Sequence, residues 1–459
     1  MSEDNTKSGG KKRSKQLRPM HENAAGIDVG ARYHYVAVPS DRDQEPVRRY
    51  GCLTPELHAM GKWLKGCGIE TVAMESTGVY WIPVVQVLEQ YGLKVLLVNA
   101  RHVKHVPGRK SDVQDCQWLQ ELHTFGLLSG GFRPEAEIRT LRAYWRQRDN
   151  LVEACSQQIL RMQKALEQMN IQLHKVISDI TGITGMQIIR ALVGGERDPV
   201  VLARLKHPLV RSPEHVLAQA LMGAYAEEQV FALKQSVELY DFYQQKIAEC
   251  DRQTEQAMAR FASKSQETPK TAPPSKLARK RRKNQPYFDL RTQQYQMTGV
   301  DLTQIAGISA MTAQTVIAEC GFDMSAFPSE KNFSSWLGLC PNNKITGGKI
   351  YGSRTRKVFN RASHALRLAA QSLHGSPSAL GAFYRRMKSR HGAPKAITAT
   401  AHKLAKLVYR MLKFGKDFVE KGQSYYETRY KEQIVKNLEK RVKQMGYELV
   451  PLPTPNLVS

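Results

Sequence analysis

The chain has 459 residues, with 68 Lys or Arg against 42 Asp or Glu, so its formal net charge is +26. This charge argues for a polyanionic partner. Nucleic acid is favoured over a membrane, because no apolar run reaches about 18 residues, and the polar, basic first twenty residues argue against a secretory signal. The seven Cys residues form no Cys-x-x-Cys pair, so we expect reduced cytosolic thiols, mostly core filler, rather than a structural zinc site.

An α/β domain is predicted over residues 24–130, after a basic leader, residues 1–23, for which we expect disorder. Alternating residues predict two strands joined by a tight turn at Gly30-Ala31, followed by an edge-like third strand. Two short apolar runs, the second over residues 93–98, predict parallel strands, each preceded by a helix. This order indicates a mixed sheet with helices on its faces.

A long antiparallel helical hairpin is predicted over residues 136–262. Apolar residues step by three and four over residues 138–173, interrupted only near Arg148, and a rougher stripe covers residues 240–261. Heptad spacing of this kind is typical of a coiled coil. Residues 176–232 are then a small helical insertion at the tip of an arm that could also serve oligomerisation.

The C-terminal half has the most uneven charge. Residues 263–287 are predicted to be a basic linker, because three Pro residues precede the run Lys-Leu-Ala-Arg-Lys-Arg-Arg-Lys. From Lys331 to Lys416 there are 18 Lys and Arg residues and no Asp or Glu. Solvated helical surfaces normally mix both signs. We therefore predict a helical domain, residues 288–420, that lies against a phosphate backbone.

Two weaker patterns complete the C-terminal region. Residues 304–309 precede an apolar helical stretch and predict the Gly-containing turn of a helix–hairpin–helix, whose amides can bind phosphate. The same turn could simply join two helices. Residues 421–459 are predicted to be a helical or extended tail.

Four carboxylates are candidates for a catalytic metal site. Asp28 lies inside the first predicted strand, where Asp is unfavourable, and Glu75 ends the parallel strand expected beside it. Asp112 and Asp115 are on the first turn of a helix and face one way. Four such oxygen donors suit one or two Mg²⁺ or Mn²⁺ ions in phosphoryl transfer. Alternatively, the helix dipole alone favours Asp112 and Asp115, and Glu75 is a cap.

Two basic loops are candidates for phosphate contacts. The first follows the strand at residues 93–98, and the second, residues 340–357, combines Gly, hydroxyls and cations. Such a loop can cradle a phosphate, and a hydroxyl held there can attack a phosphodiester. From the residues alone, a hairpin turn on the DNA backbone is the favoured interpretation of the second loop. The candidate nucleic-acid-binding residues are Arg101, Lys104, Arg109, Lys110, Lys344, Gly347, Gly348, Lys349, Arg354, Arg356, Lys357 and Arg361.

These motifs resemble those of one protein family. Gly-Ile-Asp28-Val-Gly, Met-Glu75-Ser-Thr-Gly and Lys-Ser-Asp112-Val-Gln-Asp115 resemble the acidic motifs of DEDD-type insertion-sequence transposases, the bridge-RNA-guided recombinases. Residues 333–373, with Leu-Gly-Leu-Cys-Pro and the basic loop after it, resemble the C-terminal domain of that family. The resemblance extends from about residue 25 to about residue 415. It implies a RuvC-like domain of RNase H fold, a coiled-coil arm and a helical transposase domain.

The resemblance also implies roles for residues and partners. The family's nucleophile is typically a Ser five residues after the Pro, and Thr346 is at that position here, with Ser353 as the reserve. The four carboxylates would hold Mg²⁺ or Mn²⁺ at the scissile phosphate while the hydroxyl forms a covalent bond to DNA. The implied partners are donor and target DNA, a guide (bridge) non-coding RNA, and further copies of the chain, as dimers that assemble into a tetramer. The implied location is the bacterial cytoplasm, in association with the nucleoid.

Three other functions fit parts of the sequence. A RuvC-type junction nuclease would use the same carboxylates with water as nucleophile, leaving Thr346 a binding role. Actin-like sugar kinases also begin with Gly-Ile-Asp-x-Gly, but they need further Gly-rich phosphate loops and leave the acid-free stretch unexplained. A non-catalytic nucleic-acid-binding protein would carry degenerate carboxylates.

Overall fold

The computed structural model describes residues 18–76, 78–98, 111–262, 284–415 and 423–450, without the side chains of residues 423–427, 429–431 and 433. The predicted leader up to residue 17, linker residues 263–283 and the first basic loop lie outside the described residues, and this loop contains Arg101, Lys104, Arg109 and Lys110. The chain divides into two compact units between Arg133 and Pro134. No helix in the described ranges is both long and apolar enough to cross a membrane.

A five-stranded mixed sheet forms the centre of the N-terminal unit. Its strands are β1 (Ala24–Val29), β2 (Tyr33–Ala37), β3 (Val47–Gly51), β4 (Thr71–Glu75) and β5 (Lys94–Val98), in the spatial order β3-β2-β1-β4-β5. The pairs β1–β2 and β2–β3 are antiparallel, whereas β4 is parallel to both β1 and β5. The mixed sheet predicted from the sequence is confirmed, and its order is compatible with an RNase H-like domain.

Helices cover both faces of this sheet. Helices α1 (Thr54–Gly66) and α2 (Trp81–Gln90) pack on the face that contains Ile27 and Met74, in one apolar core. Helix α3 (Asp112–Thr124) packs on the opposite face. There it crosses β1 so closely that a Cβ atom on Gly26 would lie 2.3 Å from the Cys116 carbonyl oxygen and from the Gln120 amide nitrogen. Glycine in the middle of a strand commonly marks such a close approach.

Two long helices dominate the start of the C-terminal unit. They are α4 (Ala136–Gln168) and α9 (Glu227–Ala262), and between them lie α5 (Leu173–Val176), α6 (Ile183–Val193), α7 (Pro199–Arg204) and α8 (Glu214–Ala220). The helices α4 and α9 pack in antiparallel fashion: Arg148 bonds to Asp251 and Cys155 accepts from Gln244, while Met162 shares a core with Val237. The predicted long helices are present; their supercoiling as a coiled coil stays a prediction.

The slot at which the apolar stripe of α4 is interrupted is filled by a buried ion pair. Arg148 is only 1% exposed and donates from Nε to Oδ1 of Asp251 at 2.5 Å and from its terminal nitrogen to the carbonyl oxygen of Asn284 at 2.8 Å. The polar residue therefore belongs to the interior of the helix pair, and it links the pair to the segment after the linker.

The remainder of the C-terminal unit is mainly helical, as predicted. Its helices are α10 (Leu290–Thr298), α11 (Ala310–Cys320), α12 (Glu330–Trp336), α13 (Arg361–Ser372), α14 (Ala379–His391), α15 (Ala393–Phe414) and α16 (Gln423–Gln444). A two-stranded ribbon, β6 (Lys344–Thr346) with β7 (Lys349–Gly352), departs from the helical pattern. The turn at Gly307 packs against Ala369 and Leu373, and its helix–hairpin–helix role stays a prediction.

Candidate active site and nucleic-acid surface

The direction of α3 determines which of its residues approach the end of β1. Cys116 and Gln120 face Gly26, while His123, near the C-terminal end of α3, bonds through Nε2 to Oγ1 of Thr71 at 2.9 Å. Thr71 pairs with Ala24, at the start of β1. The helix therefore runs antiparallel to β1, and its first turn lies toward the end of that strand.

Asp28 and Glu75 lie at this same end of the sheet. The parallel register pairs Ile27 with Met74, which makes Asp28 and Glu75 the next residues along the two strands. Side chains alternate between the faces of a strand. Asp28 is two residues after Gly26, and Glu75 is four after Thr71, so both project to the face covered by α3. Both side chains are half-buried.

The first turn of α3 adds the other two carboxylates. Ser111 caps the helix, as its sequence position predicts, because its Oγ accepts from the Gln114 backbone N–H at 3.3 Å. Asp112 is exposed and Asp115 is half-buried, and the positive end of the helix dipole favours both charges. Three elements thus carry the four predicted carboxylates to one end of the sheet.

The pKa of the Cys116 thiol shows that two of these carboxylates lie near it. Burial, and then the negative charges of Asp28 and Asp115, raise the pKa of Cys116 to about 12. Two carboxylates from different elements therefore act on one buried sulfur atom. At that pKa the thiol stays protonated at neutral pH, which makes it a poor nucleophile and a poor metal ligand.

The carboxylates fit a divalent cation by type but do not enclose one. All four donors are carboxylate oxygens, which suit hard cations such as Mg²⁺ and Mn²⁺. In the part of the chain that the structure describes, no group of three or more His, Cys, Asp or Glu side chains is arranged to hold a metal ion. The predicted metal site thus has its donors at one end of the sheet without a closed coordination shell.

The second candidate site is the β6–β7 ribbon, which contains Thr346. Gly347 and Gly348 form its two-residue turn with φ values of +54° and +76°, and positive φ at both central residues is what a type I′ hairpin requires. The turn pairs Thr346 directly with Lys349. The hairpin that the residues alone favoured for this loop is confirmed, and its strand residues are exposed apart from the half-buried Gly352.

The ribbon has two chemically different faces. Directly paired residues share a face, and faces alternate along each strand. One face, termed the hydroxyl face, carries Thr346 and Lys349, with the Lys344 ammonium 6.0 Å from the ring centre of Tyr351. The other, termed the isoleucine face, carries the paired side chains of Ile345 and Ile350. Hydroxyl and cations are therefore collected on one side of the ribbon.

The predicted basic residues after the ribbon differ in their surroundings. Arg354 and Lys357 are exposed, as is the reserve nucleophile Ser353. Arg356 and Arg361 are exposed as well, but Arg356 donates to the Ser335 carbonyl oxygen at 2.6 Å, and Arg361 lies 3.4 Å from a carboxylate oxygen of Asp149. Arg356 and Arg361 thus have structural partners within the chain, and their role in nucleic-acid binding stays a prediction.

Sequence reasoning missed the contribution of Glu330, the last acid before the acid-free stretch. Its carboxylate lies 2.6 Å from the Lys406 ammonium and also binds the Arg410 guanidinium. Burial opposes ionisation of Glu330, but the hydrogen bonds from Arg410 and Lys406 outweigh it and lower the pKa of this carboxyl. One acid on α12 thus binds two of the cations on α15.

Comparison with known proteins gives matches in both units. A DEDD-type model of IS110 elements, described as a transposase, matches residues 25–171 and so includes all four carboxylates. A second model, described as the transposase IS116/IS110/IS902 family, matches residues 301–385 and includes Thr346. The chain is similar to IS110-type transposases in two separate regions. Both models are described as transposases, which agrees with the enzyme class expected from the sequence.

A curated relative from an insertion element is also similar to part of the chain. The insertion element IS110 uncharacterized 43.6 kDa protein of Streptomyces coelicolor is 26% identical over 130 residues. This alignment covers 28% of the chain and 30% of the relative, so the chain spans less than a third of the length of the curated relative that it matches. The carboxylates belong to the N-terminal unit and Thr346 to the C-terminal unit.

Proposed function

We propose that the protein is an RNA-guided DNA transposase of an insertion sequence, which cuts and rejoins donor and target DNA. The observation that carries the proposal is the placement of Asp28, Glu75 and the first turn of α3 at one end of the sheet, inside a region similar to DEDD-type transposases. Carboxylates gathered in this way serve phosphoryl transfer when divalent ions bind them.

The four carboxylates, Asp28, Glu75, Asp112 and Asp115, would hold one or two Mg²⁺ or Mn²⁺ ions. When bound, such ions polarise the scissile phosphate and neutralise its charge. The chain contributes the placement of the donors, since contact of α3 with Gly26 sets the distance between helix and strand and Ser111 fixes where the helix begins.

Thr346 is our candidate nucleophile. Its Oγ would bond to phosphorus as the hydroxyl proton leaves, and the bond from phosphorus to the leaving sugar oxygen would break as that oxygen takes up a proton. Attack by a sugar hydroxyl on the protein–DNA phosphodiester would then rejoin the strands. Lys344 and Lys349, on the same face of the ribbon, supply positive charge for the phosphate oxygens.

We further propose that a non-coding RNA pairs with both DNAs, so that base pairing supplies sequence specificity while the protein recognises backbone and shape. The net charge of +26 supports binding of more than one nucleic-acid strand. Because the carboxylates and Thr346 belong to different units, we propose that copies of the chain assemble as dimers and tetramers around the DNA. RNA that co-purifies with the protein, identified by sequencing, tests the guide.

Denaturing electrophoresis tests the covalent step. The protein is incubated with DNA from the borders of its gene, RNA transcribed from the same locus and Mg²⁺. We expect a protein–DNA adduct that is absent from Thr346→Ala, present in Thr346→Ser and present in Ser353→Ala. An adduct lost in Ser353→Ala but kept in Thr346→Ala would move the nucleophile to the reserve residue.

A metal-dependent junction nuclease is the second candidate. The observation that favours it is that all four carboxylates lie in the N-terminal unit, so cleavage by water needs no residue of the other unit. This function predicts nicked DNA without an adduct, in amounts that Thr346→Ala leaves unchanged and Asp115→Asn abolishes.

A further inference from the structure

The isoleucine face of the ribbon is an apolar surface in a strongly basic segment. The side chains of Ile345 and Ile350 are 61% and 58% exposed although they pair directly across the two strands. A two-stranded ribbon of this length is marginally stable alone, and burial of two Ile side chains is favourable by transfer from water. A partner that covers the isoleucine face would therefore stabilise the ribbon.

The charge around the ribbon selects the kind of partner. The stretch from Lys331 to Lys416 contains 18 cations and no acid, and Lys344, Lys349, Arg354 and Lys357 are exposed in or beside the ribbon. A second copy of the chain at this face would place like charges against each other. A polyanion with apolar surfaces between its charges fits instead, and duplex DNA, with stacked bases between two phosphate backbones, has this chemistry.

The hydroxyl face and the isoleucine face lie on opposite sides of the same ribbon. Thr346 directly follows Ile345, and neighbouring side chains of a strand point to opposite faces. DNA that covers the isoleucine face is therefore contacted separately from the hydroxyl of Thr346.

We propose that the isoleucine face inserts Ile345 and Ile350 between base pairs of the DNA and unstacks the bases that it contacts. Apolar side chains act as wedges of this kind in several DNA-bending proteins. The proposal rests on the proposed function only in taking DNA as the partner. Unstacking there would free bases for new pairing during strand exchange.

Binding to mismatched DNA tests the wedge. Unstacking is already complete in a mismatched bubble, so a wedge prefers a duplex with a central bubble over the same duplex fully paired. For the full-length protein we expect the Kd ratio of paired to mismatched duplex to be about tenfold. The double variant Ile345→Thr/Ile350→Thr, which keeps β-branched residues in both strands, should bring the ratio close to one.

Control variants show whether a loss of the preference for mismatched DNA is specific to the apolar side chains of the isoleucine face. Ile345→Val/Ile350→Val keeps apolar wedges and should retain the preference, as should Leu209→Thr, which removes an apolar side chain that is 85% exposed in the helical insertion. Thr346→Ala should also retain it, so failure of the covalent chemistry and failure of the wedge are told apart. Both Ile residues are exposed, so the Tm of the double Thr variant should equal that of the wild type.

Two results would overturn the proposal. The first is an unchanged preference for the mismatched duplex in the double Thr variant. The second is a smaller assembly of that variant in sedimentation without any change in the Kd ratio, which would make the isoleucine face a contact between copies of the chain.

Discussion

Arg148 and Asp251 form an ion pair inside the long helix pair, with Nε and Oδ1 2.5 Å apart and both residues less than 4% exposed. Removal of one partner leaves an uncompensated buried charge. We therefore expect Asp251→Ala to lower the free energy of unfolding by about 3–5 kcal/mol, measured by urea denaturation of the helical circular dichroism signal.

The paired substitution is the control for this prediction. Arg148→Met/Asp251→Leu removes both charges and fills the slot with apolar atoms, so its stability should return to within about 1–2 kcal/mol of the wild type or exceed it. A double variant as unstable as Asp251→Ala would show that the ion pair itself, and not the lone charge, governs stability.

Gly26→Ala tests the contact that positions the carboxylates. The new Cβ would lie 2.3 Å from two backbone atoms of α3, so the helix must move away from β1. We expect a loss of about 1–3 kcal/mol of stability and loss of DNA cleavage. The matched control is Gly66→Ala at the end of α1, where no atom lies within 4 Å of the new methyl group; it should be neutral or slightly stabilising.

His123 should make the N-terminal unit less stable in acid. Burial, and then the nearby charge of His21, lowers the pKa of His123 to about 4 from its ordinary value of 6.5. The unfolded chain therefore binds more protons than the folded chain between these pH values, and stability falls as the pH drops through that window. The expected loss is on the order of 1–3 kcal/mol.

Thermal unfolding as a function of pH measures this effect. His123→Gln should flatten the change in Tm between pH 6.5 and 4, whereas His391→Gln, at an exposed site, should leave it as in the wild type. Equal pH dependence in the wild type and His123→Gln would assign the acid sensitivity to other groups.

Glu330→Gln should lower the stability of the protein and raise its affinity for duplex DNA. The substitution removes the carboxylate that binds Lys406 and Arg410, so stability should fall by about 1 kcal/mol. Two cations become available to phosphates, and affinity for duplex DNA should rise roughly two- to fivefold at low salt, with a steeper salt dependence. Glu439→Gln makes the same change in net charge at an exposed position of α16 and should alter neither property; an equal gain in affinity there would make the effect one of net charge.

The N-terminal sheet could be predicted because its signals are local. Alternation around Gly30-Ala31 marks a hairpin, the apolar run at residues 93–98 marks a buried parallel strand, and the position of Ser111 marks a helix start. The positions of Asp28 and Glu75 at one end of the sheet follow from that order. How closely their side chains approach depends on the packing of α3, which the strand and helix patterns do not specify.

The partner of Arg148 lay beyond sequence reasoning. The interruption of the apolar stripe is visible in the sequence, but Asp251 is 103 residues away, and a polar residue in a stripe more often faces solvent. Gly26 did carry a signal, since Gly inside a strand suggests close backbone approach. The contacts of Arg356 with Ser335 and of Arg361 with Asp149 could not be predicted either, because they depend on the folded arrangement.

The two-residue turn at Gly347 and Gly348 determines which side chains share a face of the ribbon. With two turn residues, Thr346 faces Lys349 and Ile345 faces Ile350. A shift of one residue in the pairing would carry every side chain to the opposite face, so the hydroxyl would change places with the apolar pair. A single-residue insertion or deletion in the turn between Thr346 and Lys349 should therefore be as inactivating as removal of the hydroxyl.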